Sequence, residues 1–102
     1  MRIRLSKDAA LFLRSEQRYL ERFNPRAAEA VLRQLRGSMR LLLDYPQAGS
    51  PIEALEGRRR FVSGEYVIDY RMEKGIVSVS HIRHGRQLPP DLLADAPADD
   101  GN

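Results

Sequence analysis

The chain has 102 residues with a formal net charge of +3, and 42% of its residues are hydrophobic. That length holds one small domain. With no cysteine there is neither a disulfide framework nor a thiolate zinc site, and the longest apolar run, Ala9–Leu13, is too short to span a bilayer. A disulfide-stapled mini-protein, a membrane-spanning protein and a multidomain enzyme are excluded. The opening Met-Arg-Ile-Arg lacks the apolar stretch of a secretory signal, so a cytoplasmic location is expected.

Arg2–Leu5 alternates polar and apolar residues, as a short strand does. Ser6 can then cap a helix with Asp8 in its first turn, where the helix dipole favours an anion. Ala9, Phe12, Leu13, Tyr19, Leu20 and Phe23 recur at helical spacing and make one apolar stripe. Asn24-Pro25 pairs a strong N-cap with a proline suited to the first helical position. A second stripe follows: Ala28, Val31, Leu32, Leu35, Met39, Leu42 and Leu43. Tyr45-Pro46 ends it, because the residue before proline is pushed out of the α region. Two antiparallel helices with a tight connection are predicted.

Residues 46–57 read as a loop with one helical turn at Ile52–Leu55. After it the period becomes two, giving strand candidates at Arg58–Ser63, Tyr66–Met72 and Ile76–Arg83, joined by turns at 63–65 and 73–75. Tyr66, Ile68, Tyr70 and Met72 share one face of the middle strand, with Val67, Asp69 and Arg71 on the other. Gly85 can supply a positive φ for a tight exit turn. The fold class is α+β, in the order β-α-α-β-β-β: a helical hairpin on a small, mainly antiparallel sheet. Residues 1–90 form the domain; 91–102, rich in Asp, Ala and Pro, form an acidic and flexible tail.

Charge is unevenly spread. Residues 1–44 carry ten bases and five acids, residues 45–90 seven and five, and the last twelve residues four acids and no base, so residues 1–90 alone are +7. Such a body attracts polyanions or acidic proteins. The run Arg58-Arg59-Arg60 has two readings: a solvated strand start that blocks edge pairing, or a carboxylate-binding patch. Alternation puts Arg58 and Arg60 on one side and Arg59 on the other. No Gly-rich phosphate loop and no nucleophile elbow is present in the sequence. His81 and His84, three apart on a strand, point to opposite faces and make a poor metal pair, so no metal or cofactor is expected.

The order of elements, read with certain residues, resembles the RelE/ParE family of type II toxin–antitoxin toxins. Those residues are Leu-Leu-Leu-Asp-Tyr-Pro (41–46), Ala-Gly-Ser-Pro (48–51), the Arg-rich strand, Gly-Glu-Tyr-Val-Ile-Asp-Tyr-Arg (64–71) and His-Ile-Arg-His-Gly-Arg-Gln (81–87). The resemblance spans about residues 1–90 and implies a small cytoplasmic bacterial protein held inactive in a hetero-oligomer with its antitoxin. RelE-like members cut ribosome-bound messenger RNA; ParE-like members poison DNA gyrase. The fold does not choose between them, so the site residues must.

Cleavage through the 2′-hydroxyl needs proton transfer at two oxygens and cations for the phosphorane. RelE-like toxins place an Arg after the first Tyr of the middle strand, a second Arg near the end of the last strand and a Tyr shortly after. Here these positions hold Val67, Arg83 and the stretch Leu88-Pro89-Pro90. His81 and His84 could move protons beside Arg83 in the nuclease reading, but two of the three positions differ. The preferred reading is therefore a ParE-like gyrase inhibitor without chemistry of its own, neutralised by a ParD-like antitoxin with an acidic segment. Arg83, His84 and Arg86 are its expected target contacts. Arg58, Arg59 and Arg60, with Leu11 and Leu41 at the stripe edges, are its expected antitoxin contacts.

Overall fold

The computed structural model describes residues 2–86. Strand β1 (Arg2–Leu5) leads into helix α1 (Lys7–Phe23), then helix α2 (Pro25–Asp44). Strands β2 (Ser50–Pro51), β3 (Arg58–Ser63), β4 (Tyr66–Glu73) and β5 (Ile76–His84) complete one sheet, in the order β1-β5-β4-β3-β2. All pairs are antiparallel except β1 with β5. This is the expected architecture with one addition. Ser50–Pro51, inside the segment read as a loop, pairs with Arg60 and Arg59 as a two-residue edge strand. Residues 52–55 form a single turn, closed by Leu55 N–H donating to Ile52 O, but not the expected helical one, because Ala54 has a positive φ of 76°.

The caps form as the sequence requires. Ser6 Oγ accepts from Ala9 N–H at 3.0 Å, while its hydroxyl donates to Ser80 O, tying the start of α1 to β5. Asn24 serves both helices: its N–H donates to Leu20 O, and its side-chain oxygen accepts from Arg26 and Ala27 N–H. One residue thus ends α1 and starts α2, which forces the hairpin to turn tightly. At the β4–β5 turn both Lys74 and Gly75 have positive φ, the conformation a two-residue hairpin needs.

The core lies between the hairpin and one sheet face. Ala9, Leu35, Met39 and Leu42 from the helices meet Tyr66, Ile68, Tyr70, Val77, Val79 and Ile82 from the sheet. The α2 stripe faces the core as read, with Ala28, Leu35, Met39 and Leu42 buried and Val31, Leu32 and Leu43 half-buried. The α1 stripe is buried only in its first half: Tyr19 and Phe23 are 57% and 70% exposed and pack on each other, with ring centroids 5.0 Å apart. The second half of α1 thus leaves both rings largely uncovered.

One irregularity resets the alternation. In β4–β5 pairing, Asp69 faces His81 but Tyr70 faces Val79, leaving Ser80 as an extra residue. Val77 and Val79 therefore point to the core, and so does Ile82, three residues further on. Gly85 does not have a positive φ, contrary to the expectation for the exit turn. Instead its N–H donates to Glu65 O at 2.8 Å, extending the pairing past the end of β5. The tail 91–102 and residues 87–90 lie outside the described residues.

Candidate functional site

Three places on the fold gather the candidate residues. The first is the end of β5. His84 shares the parity of Ile82 and turns to the helix side, where its ring packs at a tilt against Tyr66, centroids 4.6 Å apart, and its Nε2 lies 3.1 Å from Glu16 Oε2. The Tyr66 hydroxyl donates to that same Glu16 oxygen at 2.7 Å. Burial, and then the bond to Glu16, raises the Tyr66 phenol above its ordinary pKa of 10.0. His84 is thus half-buried and held on two sides, not the freely exposed strand terminus that its position suggests. Glu16 is the residue sequence reasoning missed. Its signal was an acid placed inside the α1 stripe, four residues after Phe12 and four before Leu20. With Gly85 bonded to Glu65, this cluster anchors the strand end and leaves Arg86 exposed just beyond it. A small concavity of about 200 Å³ there is lined by Tyr66, Val67, His84, Gly85 and Arg86, among others.

The second place is the sheet face turned away from the helices. His81 and Arg83 lie there, opposite Asp69 and Val67. His81 and His84 therefore do not meet. Arg60 lies across from Asp69 and clamps it bidentately, Nε to Oδ1 at 2.7 Å and Nη2 to Oδ2 at 3.2 Å. Asp69 is 1% exposed, and its hydrogen bond is the main cause that raises the Arg60 pKa. Arg58 donates to Ser80 Oγ at 3.0 Å. Arg59, on the other side as alternation requires, donates to Gly49 O and Gln47 O. All three arginines of the run thus hold acceptors within the fold. At the other end of this face Arg4 and Arg71 both hold Glu73.

The third place is a groove beside the end of α2. Leu41, Asp44, Tyr45, Pro46, Gln47, Ala48, Phe61 and Met72 line an open, largely apolar space of about 840 Å³. Leu41 is 40% exposed within it. Leu11, 48% exposed on α1, is not part of it. The groove wall at 46–49 is fixed from behind. Tyr70 donates its hydroxyl to Pro46 O at 2.6 Å and accepts from Gly49 N–H at 3.0 Å, and Arg59 takes the carbonyls of Gln47 and Gly49. A Cβ at Gly49 would sit 2.8 Å from Arg60 O and 2.9 Å from the Tyr70 ring, so only glycine permits this approach.

Among the described residues no three His, Asp or Glu side chains converge as a metal site would require, and no helix is long and apolar enough to cross a membrane.

Comparison with known proteins agrees with this geometry. No curated protein matches the chain. Among solved structures, the "Chromosomal ParDE TA system from P. aeruginosa" superposes with a TM-score of 0.69 at 17% identity, covering 82% of this chain and 95% of that one. The likeness is one of fold: two helices followed by a mixed, mainly antiparallel sheet. Residues 3–89 match the family described as "ParE toxin of type II toxin-antitoxin system, parDE". The chain therefore belongs to the ParE toxin family of type II toxin–antitoxin systems.

Proposed function

We propose that this toxin acts in the cytoplasm by inhibiting DNA gyrase through protein–protein contact, and that a ParD-like antitoxin neutralises it. The observation that carries the gyrase reading is the pairing of Val67 with Arg83. A buried apolar side chain stands across from the one arginine that matches the RelE-like pattern, so the cations needed around a phosphorane are not assembled there. What the strand end offers instead is a rigidly anchored platform carrying Arg83 and Arg86, suited to docking on a protein surface. The apolar groove at Leu41, Tyr45, Phe61 and Met72 suits an amphipathic antitoxin helix, and free donors of the Arg58–Arg60 run would meet its acidic segment. Leu11 would have to contact a separate part of the antitoxin.

One arrangement favours ribosome-dependent RNA cleavage as the second reading. Arg58, Arg60, His81 and Arg83 share the face turned from the helices, and the buried His81 Nδ1 has no hydrogen-bond partner among the described residues.

Supercoiling and ribosome-bound message cleavage assays on the wild type, with the variant Arg83→Ala/Arg86→Ala beside it, separate these readings. In the gyrase reading the variant abolishes inhibition of supercoiling and growth arrest while its melting temperature stays close to that of the parent. Wild-type protein that leaves gyrase untouched but cuts ribosome-bound message would transfer the function to the second reading. His84→Ala is a poor probe of contact alone, because it also removes a ring from Tyr66 and a partner from Glu16.

A further inference from the structure

The arginines of this protein fall into two populations. Arg4 on β1 and the arginines of β3, β4 and β5 hold acceptors within the fold, while Arg2 is exposed at the start of β1. Arg14 on α1 and Arg33, Arg36 and Arg40 on α2 hold none: all four are exposed, and no side-chain hydrogen bond or ion pair ties them to other described residues. Their order along α2 places them side by side, since positions 33, 36 and 40 recur at three- and four-residue steps. Arg33, Arg36 and Arg40 line one concavity of about 450 Å³ with Glu29 and Gly37, and nothing stands within 4 Å of a Cβ built on Gly37. Arg36 also lines the cleft between the helices, together with Arg14. The four cations therefore line two concavities joined at Arg36, the interhelical one floored by Leu13, Leu32, Leu35 and Met39, with Glu29 the single acid among the lining residues.

We propose that this helical face binds the phosphate backbone of double-stranded DNA without reading its sequence. Three observations choose that occupant. Unpaired, exposed guanidinium groups match phosphate by charge and by their planar fork. The α2 concavity has no apolar side chain among its lining residues, whereas the centre of a protein–protein interface is apolar and poor in charge. Neither concavity is lined by an aromatic ring, so bases of a single strand have nothing to stack on. From Arg33 to Arg40 the helix rises about 10.5 Å. A duplex lying alongside presents about six phosphate charges over that length, at one per ~1.7 Å. The inference goes beyond the toxin reading and is independent of it, because the surface contains neither the β5 strand end nor the apolar groove.

The test is fluorescence anisotropy of the purified full chain with a labelled duplex of about 20 base pairs, across a salt series. Binding should be indifferent to sequence and should weaken steeply with salt. The variant Arg33→Gln/Arg36→Gln/Arg40→Gln should bind about tenfold or more weakly at low salt and lose about 2.7 units of log–log salt slope, close to one per arginine. Glutamine keeps helix propensity, and circular dichroism checks that the fold persists. The comparison variant Arg2→Gln/Arg4→Gln/Arg71→Gln removes the same charge from the sheet and should retain nearly all of the binding. Equal losses in the two variants would mean that net charge alone draws the DNA and would overturn the assignment. So would absence of binding, tighter binding of single-stranded DNA or duplex RNA, or a preference for an acidic peptide over the duplex.

Discussion

Asp69 and Arg60 show how one buried carboxylate organises a sheet face. The acid is 1% exposed while the Arg60 side chain keeps 30% of its surface, so the two truncations are unequal. Arg60→Ala strands a buried negative charge and should cost about 3 kcal/mol, whereas Asp69→Ala leaves a guanidinium that can reach water and should cost about half as much. Urea unfolding, with midpoints compared at constant m, checks the order. Tyr66 carries a pH dependence of its own. Its phenol is raised in the folded state, chiefly by burial, so the unfolded chain gives up that proton first as pH rises. The associated stability is complete below about pH 10 and is lost as pH climbs from there toward the folded pKa. Tyr66→Phe should flatten that alkaline decline, which thermal melts between about pH 8 and 11 would reveal.

At the scale of elements, the segment 46–49 is the clearest case of structure made by contacts far along the chain. It has no regular secondary structure, yet Tyr70 and Arg59 hold its carbonyls and the N–H of Gly49. Gly49→Ala must push against the backbone of β3 and a fully buried ring, neither of which can give way cheaply. It should destabilise the protein by about 2 kcal/mol. The same variant should weaken antitoxin binding by more than its stability loss explains, because the displaced segment is the groove wall. Isothermal titration at a temperature where both proteins are folded separates the two effects.

Across the whole molecule, the charge balance of residues 1–90 sets how partners approach. A body of +7 meeting an acidic antitoxin segment should associate faster, and more tightly, at low salt. The dissociation constant is expected to rise about tenfold between ~0.05 and ~0.5 M salt, as the screening length shortens. A constant that stays flat would assign the affinity to the apolar groove alone. The arginines divide this field: those on the sheet are largely committed to internal acceptors, and those on the helices face outward.

Local rules and periodicity settled the order of elements, both caps, the helical hairpin and the two-sided placement of Arg58–Arg60, because each depends on residues close in sequence. The Asn24-Pro25 junction and the Lys74-Gly75 turn are examples in which the chemistry of one or two residues determines the backbone. The sequence also carried the family resemblance across the folded body. What it did not determine depends on where the sheet ends and how strands register. The exposure of Tyr19 and Phe23 depends on how much of α1 is covered by the rest of the fold, which a helical stripe does not encode. The edge strand Ser50–Pro51 exists only because β3 offers an unpaired edge, and two residues show no period. The extra residue at Ser80 changes which side chains of β5 share a face, a shift that alternation alone does not reveal. The joining of Glu16, Tyr66 and His84 required α1 to cross over β4 and β5, since residues 50 and 68 positions apart meet only through the tertiary fold.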